Sequence, residues 1–222
     1  MKKVLAAAMM TILLLAAYMT LWPVPLQPVA WQAPTAPGYT GVHAANDRLA
    51  ALQVIDLHGH HDPESIIAGP GQWLYASVGS ADILKQDGAI VRFQPDGSAF
   101  EVVAQTGGRP LGLAFDGNGQ LLVADAVKGV LVIRDGKPVP LAPAHFANSL
   151  TVASNGKIYY TDSSARFSAA QSGSTQEAAM LDALEQSATG RVVEYDPAGG
   201  AVRVVATGLS FANGIVLSED ER

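Results

Sequence analysis

Three kinds of side chain in this sequence have types and spacing that invite chemistry. The first is a tight cluster, His58, His60 and His61, running into Asp62 and Glu64 in the phrase "HGHHDPE". Histidines at i, i+2 and i+3 in a loop match no standard zinc spacing, so they read as surface residues beside a strand mouth. Glu64 follows proline and by itself reads as a solvated loop acid. The second is a pair of aspartates, Asp125 and Asp162, which close two similar apolar runs, "LLVAD" and "IYYTD". Acid/base carboxylates would look like this, but so would aspartates that bind the next turn, and recurrence at matching positions favours the scaffold. The third is an echo: Asn148 and Asn213 each follow Phe-Ala, at Phe146 and Phe211, ahead of a strand-like run. Alone they are turn residues, Asn213-Gly214 being a favoured turn dipeptide. The echo places them at equivalent positions of two repeated units.

The elements that must carry these residues repeat along the chain. A turn followed by an apolar strand occurs as "GPGQWLYASVG" from Gly69, "DGNGQLLVADA" from Asp116 and "SNGKIYYTDSS" from Ser154. A second phrase comes after each: "GAIVRFQPDG" from Gly88, "KGVLVIRDGK" from Lys128 and "GRVVEYDPAGG" from Gly190. These alternating runs, closed by Asp-Gly or Asp-Pro turns, have the pattern of hairpins. A third run, such as "SAFEVVAQTG" or "AVRVVATG", completes the unit. Short strands recurring about every 40–60 residues spell an all-β fold built as a β-propeller. Three blades and the start of a fourth are expected. The segment from Thr175 to Ala188 breaks the repeat: it lacks Gly and Pro and predicts a helix within an insertion at about 168–189. Its stripe Met180, Leu181 and Leu184 either packs on a blade edge or covers the face where a ligand enters.

Upstream, Val4 to Trp22 is an apolar run without charge, preceded by Lys2 and Lys3. At helical rise it spans about 28 Å, one hydrocarbon core. Lysines ahead of it and no basic cluster behind it predict a cytoplasmic N-terminus and export of the remainder of the chain. A cleaved leader would have a shorter apolar run and a small-x-small site; no clear site is present, so residues 1–22 are expected to be an uncleaved signal anchor, with cleavage the alternative. Five prolines between Pro23 and Pro37 make residues 23–45 a stiff spacer. The folded domain is expected over 46–222.

Composition narrows the function. There is no cysteine, which removes disulfides and thiol chemistry. The formal net charge is −6, and two of the basic residues precede the membrane segment, so the exported part is acidic. That argues against a nucleic-acid partner, which needs a basic face, and is compatible with a cation site.

The phrases "GRPLGLAFDGNGQLLVADAVKGV", "LTVASNGKIYYTDSS", "TGRVVEYDP", "FANGIVLSED" and "DPESI" together resemble the strictosidine synthase-like group, which includes the adipocyte plasma membrane-associated protein and sits beside gluconolactonases and paraoxonases. The resemblance runs from about Trp31 to the end. It implies a six-bladed propeller, of which this chain holds three to three and a half blades, behind a membrane anchor. In metal-dependent relatives a calcium ion sits on the axis, and by this resemblance its ligands fall on Glu64, Asn148 and Asn213. A further ligand, an aspartate, would come from a blade beyond the "NG" motif. One carboxylate and two amide oxygens suit calcium and leave coordination positions open for a substrate carbonyl.

Two departures stand out. The family's Asn-Asp pair is Asn148-Ser149 here, implying a weaker or altered ion site. The paraoxonase histidine position is Leu111, so that mechanism does not transfer. The expected function is a periplasm-facing, inner-membrane-anchored, calcium-dependent hydrolase of small hydrophobic lactones or aryl esters. The alternatives are strictosidine synthase-type condensation of an amine with an aldehyde, whose glutamate would lie in a later blade, and a non-enzymatic binding propeller. An open half-ring exposes strand edges, so this chain alone is expected to be poorly soluble and inactive.

Overall fold

The computed structural model describes residues 2–22, 30, 32–36 and 38–221. Most of the prolines expected to form the spacer lie outside those residues, as does Arg222. A single apolar helix, α1 (Lys2–Leu21), opens the chain and buries none of its residues. Its mean hydropathy of 2.2 and length match a membrane span or a signal sequence.

Twelve strands form three four-stranded antiparallel sheets, each laid out in chain order from its first strand to its last. Blade 1 holds β1 (Ile66–Ala68), β2 (Leu74–Val78), β3 (Ala89–Phe93) and β4 (Phe100–Gln105). Blade 2 holds β5 (Pro110–Phe115), β6 (Leu121–Asp125), β7 (Gly129–Arg134) and β8 (Lys137–Ala142). Blade 3 holds β9 (Ala147–Val152), β10 (Ile158–Asp162), β11 (Gly190–Asp196) and β12 (Ala201–Leu209). Three blades are therefore complete, and no strand is formed among the described residues after Leu209. Each repeated phrase has become the second or third strand of a blade, as the hairpin patterns require. In the β7–β8 hairpin, Asp135 (φ 50°) and Gly136 (φ 73°) both lie in the left-handed region, as a type I′ turn demands.

The blades pack face to face through aliphatic and aromatic side chains. Tyr75 and Ile90 of blade 1 meet Leu113, Val123 and Leu131 of blade 2. Leu122, Val130 and Val132 of blade 2 meet Leu150, Ile158, Tyr160 and Val193 of blade 3. The inner strand β5 lies between β1 and β9. It comes so close to β9 that a Cβ on Gly112 would lie 2.7 Å from the Ser149 Cα and 2.9 Å from the Asn148 carbonyl oxygen. Only glycine permits that approach. Upstream of β1, Ile55 and Leu57 pack on blade 1.

The insertion between β10 and β11 forms α2 (Ala169–Ser172) and α3 (Thr175–Glu185). Ser168 caps α2 in a reciprocal box with Gln171, and the Ser174 hydroxyl accepts the Glu177 N–H at the start of α3. The buried face of α3 is Ala178, Asp182 and Glu185, with Leu181 partly buried. The expected stripe of Met180, Leu181 and Leu184 is thus corrected: Met180 and Leu184 are half exposed, at 54% and 55%. Polar residues take their place because Ser187 donates to Asp182 (3.0 Å) and Arg166 pairs with Glu185 (2.7 Å). The insertion also reaches back to blade 1. Ile83 N–H donates to the Gly173 carbonyl, and Thr175 N–H to the Ala81 carbonyl. Thus α2 and α3 form a roof from blade 3 to blade 1 over the inner strands.

Candidate functional site

Under the roof lies a cavity of about 270 Å³ lined by Glu64, Arg109, Leu111, Asn148 and Asn213, with Phe146, Phe211, Thr175, Gln176 and Ala179. Glu64, Leu111, Asn148 and Asn213 hold equivalent places. In blade 1, Glu64 N–H bonds the Ser77 carbonyl, while the Ser77 hydroxyl accepts from Ser65 N–H and donates to the Leu111 carbonyl across the blade boundary (2.6 Å). In blade 3, the Thr161 hydroxyl accepts from Ser149 N–H and donates to the Asn213 carbonyl (2.6 Å). Register shifts break the β5–β6 ladder between Pro110 and Leu113, and the β9–β10 ladder between the partners of Tyr160 and Asp162. Such bulges re-aim side chains. Glu64, Leu111, Asn148 and, in the segment after blade 3, Asn213 all line the cavity.

The aspartates that close the repeats hold these inner strands in place. The Asp125 Oδ1 accepts from the N–H groups of Arg109, Val127 and Lys128 at 3.2, 2.9 and 3.0 Å. The Asp162 Oδ1 accepts from His145 and Phe146 N–H at 3.1 and 2.7 Å, and its Oδ2 takes two bonds from Arg191 at 3.0 and 2.7 Å. Both are wholly buried scaffold groups; Asp125 bonds the next turn, as one of the two sequence readings has it, whereas Asp162 bonds the residues leading into β9 and Arg191. The histidines diverge. His58 and His60 stack on Phe100 of the outer strand β4, with centroids at 4.6 and 5.7 Å. His61 instead lies between Asp62 (3.1 Å) and Asp87 (3.4 Å). Among the described residues no group of three His, Cys, Asp or Glu side chains is placed to hold a metal.

Sequence reading missed Arg109. It precedes β5 in "GRPLG", and a lone arginine beside a proline carries no local signal; only the fold brings it to the axis. Its side chain is 6% exposed and its Nη2 lies 3.7 Å from the Glu64 carboxylate, beyond hydrogen-bond reach. Nη1 donates to the Asp62 carbonyl at 3.0 Å, and Nε is buried without a partner. Burial pulls its pKa down, and the charges of Glu64, Asp62, Asp87 and Asp125 oppose that fall.

The calcium expectation can be tested on the donor set itself. Glu64, Asn148 and Asn213 line one cavity, and no side-chain hydrogen bond joins any of them to the described residues. Four carboxylates surround the single guanidinium, so the neighbourhood stays acidic. One carboxylate and two amides therefore fit a hard cation in kind, at low charge and with open positions. The roof side chains on this cavity are Thr175, Gln176 and Ala179, more polar than the apolar cover expected from the insertion.

Repeated four-stranded blades around an axial cavity define a β-propeller. The match to known proteins has the same outline. The N-terminal model of strictosidine synthase-like proteins matches residues 41–93, and the strictosidine synthase model matches residues 148–222. Strictosidine synthase-like protein 10 of Arabidopsis thaliana is 33% identical over 81% of this chain and 52% of its own length. The adipocyte plasma membrane-associated protein of Rattus norvegicus is 29% identical over 89% of this chain and 54% of its own. A gluconolactonase structure from Xanthomonas campestris superposes with TM-score 0.54 and 20% identity, over 72% of this chain and 52% of the other, a likeness of fold. The chain belongs to the strictosidine synthase-like family. It spans about half the length of these relatives.

Proposed function

We propose that the axial cavity is the ligand site of a calcium-dependent hydrolase of small lactones or aryl esters. In this reading α1 anchors the chain in the inner membrane and the propeller faces the periplasm. The observation that carries the reading is the convergence of Glu64, Asn148 and Asn213, from equivalent blade positions, on one cavity, with no side-chain hydrogen bond to the described residues and Glu64 held only by its 3.7 Å ion pair to Arg109. Those residues would hold the ion, which when bound supplies Lewis-acid polarisation of a substrate carbonyl. The chain's own contribution is shape and order. Phe146, Phe211 and Leu111 give an apolar wall, and Thr175, Gln176 and Ala179 of α3 complete the lining. The clasps from Ser77 and Thr161 fix the backbone beside Leu111 and Asn213. The gluconolactonase likeness supports the reaction class by fold analogy alone.

Because this chain spans half of its relatives, the reading asks it to bind the ion and ligand, with turnover below that of a complete ring. Calorimetric titration of the full chain in detergent with calcium chloride tests this, and then assays on phenyl acetate and a lactone panel with and without chelator. Calcium binding is expected, weakened at least about 10-fold by Asn148→Ala or Asn213→Ala, roughly the loss of one ligand to a charged centre. Absence of binding at millimolar calcium, or binding indifferent to both substitutions, overturns it.

A further inference from the structure

Arg109 is a buried cation that the hydrolytic reading does not use. A guanidinium carries five N–H donors. Within the described residues this one makes a single side-chain hydrogen bond, to the Asp62 carbonyl, and its Nε has none. Its nearest carboxylate, on Glu64, stands off at 3.7 Å and is half exposed. Buried donors left unsatisfied are costly, and a planar fork at a cavity wall matches a planar two-oxygen acceptor. Beside it lie the amides of Asn148 and Asn213, which donate as readily as they accept, and Gln176 from the roof. Phe146 and Phe211, which also line the cavity, pack edge to face with centroids at 5.3 Å.

We propose that Arg109, with Asn148 and Asn213, is a receptor for the carboxylate of a small organic monoacid whose apolar body rests on Phe146 and Phe211. The inference rests on the hydrolytic reading to the extent that ester or lactone hydrolysis releases such an acid; the receptor itself needs no turnover. A single negative charge is preferred. Glu64, Asp62, Asp87 and Asp125 all act on Arg109, and a doubly charged phosphate would meet their repulsion while offering the guanidinium no better fork.

The probe is sodium phenylacetate, compared with its neutral isostere phenylacetamide, by calorimetric titration of the full chain in detergent, with and without EDTA. Phenylacetate is expected to bind in EDTA, at least about 10-fold more tightly than the amide, as for hydrogen bonds to a charged group. Arg109→Gln should remove that preference, and Arg109→Lys should keep part of it, since lysine retains the charge and loses the fork. The acid-over-amide comparison needs no mutant, so it decides the matter even if Arg109→Gln fails to fold. No phenylacetate binding, equal binding of acid and amide, or a folded Arg109→Gln variant that binds as wild type does would each overturn the inference. So would binding seen only with calcium and indifferent to Arg109, which assigns the charge to the ion and leaves the hydrolytic reading standing. Arg109-dependent acid binding in a protein that neither binds calcium nor turns over esters does the reverse.

Discussion

Asp162 offers the sharpest test of how the inner strands are held. It is fully buried, and its Oδ1 is the acceptor for both His145 and Phe146 N–H, the two residues that lead into β9 and Asn148. Its Oδ2 carries the bidentate bond from Arg191. Asp162→Ala strips the acceptor from two backbone donors at once, each worth about 1–3 kcal/mol when left unsatisfied. It also orphans Arg191, but that side chain is 37% exposed and can turn to water, so its share is small. The total is roughly 3–5 kcal/mol. Asp162→Asn keeps an oxygen for the backbone donors but sets an amide NH2 against Arg191, losing the charge and both Arg191 bonds; because Arg191 can turn to water, the cost is about 1–2 kcal/mol. Urea titration monitored by near-ultraviolet circular dichroism reads both. With a slope of about 2 kcal/mol per molar urea, the alanine variant should melt roughly 2 M earlier and the asparagine variant less than about 1 M earlier. Equal shifts for the two variants would falsify the claim that the backbone bonds dominate, and place the stability in the ion pair instead.

The same geometry yields further outcomes. Gly112→Ala should cost about 1–3 kcal/mol, because the new methyl meets the backbone of Ser149 and Asn148 rather than a flexible side chain; thermal melts check it, and calcium affinity should fall with it as Asn148 moves. On the outer blade surface, Arg203, Lys157 and Tyr159 bond the Glu194 carboxylate and hold its pKa down from 4.5 to about 2. A depressed acid stabilises the fold above its unfolded pKa, so this contribution is present at neutral pH and lost as pH falls from about 5 toward 2. Glu194→Gln should flatten that part of the stability–pH curve, and an unchanged acid limb counts against the network. Tyr160, buried and donating to the Pro143 carbonyl at 2.8 Å, has its pKa pushed up to about 12, so in an alkaline titration monitored by phenolate absorbance it should ionise after the exposed tyrosines.

The blades were legible because their signals are local. The alternating run "VLVIR" and the Asp135-Gly136 turn that follows it specify a hairpin without reference to the rest of the chain. The Phe-Ala-Asn echo correctly implied equivalent places for Asn148 and Asn213, since a repeat in sequence becomes a repeat around an axis. What stayed hidden was whatever depends on contacts between distant segments. The face of α3 was misjudged because Asp182 and Glu185 are buried against Ser187 and Arg166, and hydrophobic periodicity cannot see a buried acid that has a partner. Arg109 was invisible for the same reason: its surroundings come from residues at 62, 64, 148 and 213.

The equivalence of Glu64, Leu111, Asn148 and Asn213 separates scaffold from chemistry. The hydroxyl clasps, the bulges and the buried aspartates recur around the axis and fix where the four side chains begin. Nothing in that framework dictates what those side chains are, so chemistry can change at one blade without disturbing its neighbours. Blade 2 shows such a change. Its axial position is Leu111, which donates nothing to an ion, and the residue two places before it, Arg109, brings a positive charge to the same cavity. A cation-only site would gain from an oxygen at Leu111 and lose from a guanidinium nearby. A site that must hold an anionic group beside a weakly held ion gains from both features. Under the carboxylate-receptor proposal, an apolar Leu111 beside a buried Arg109 is what blade 2 would contribute to that cavity.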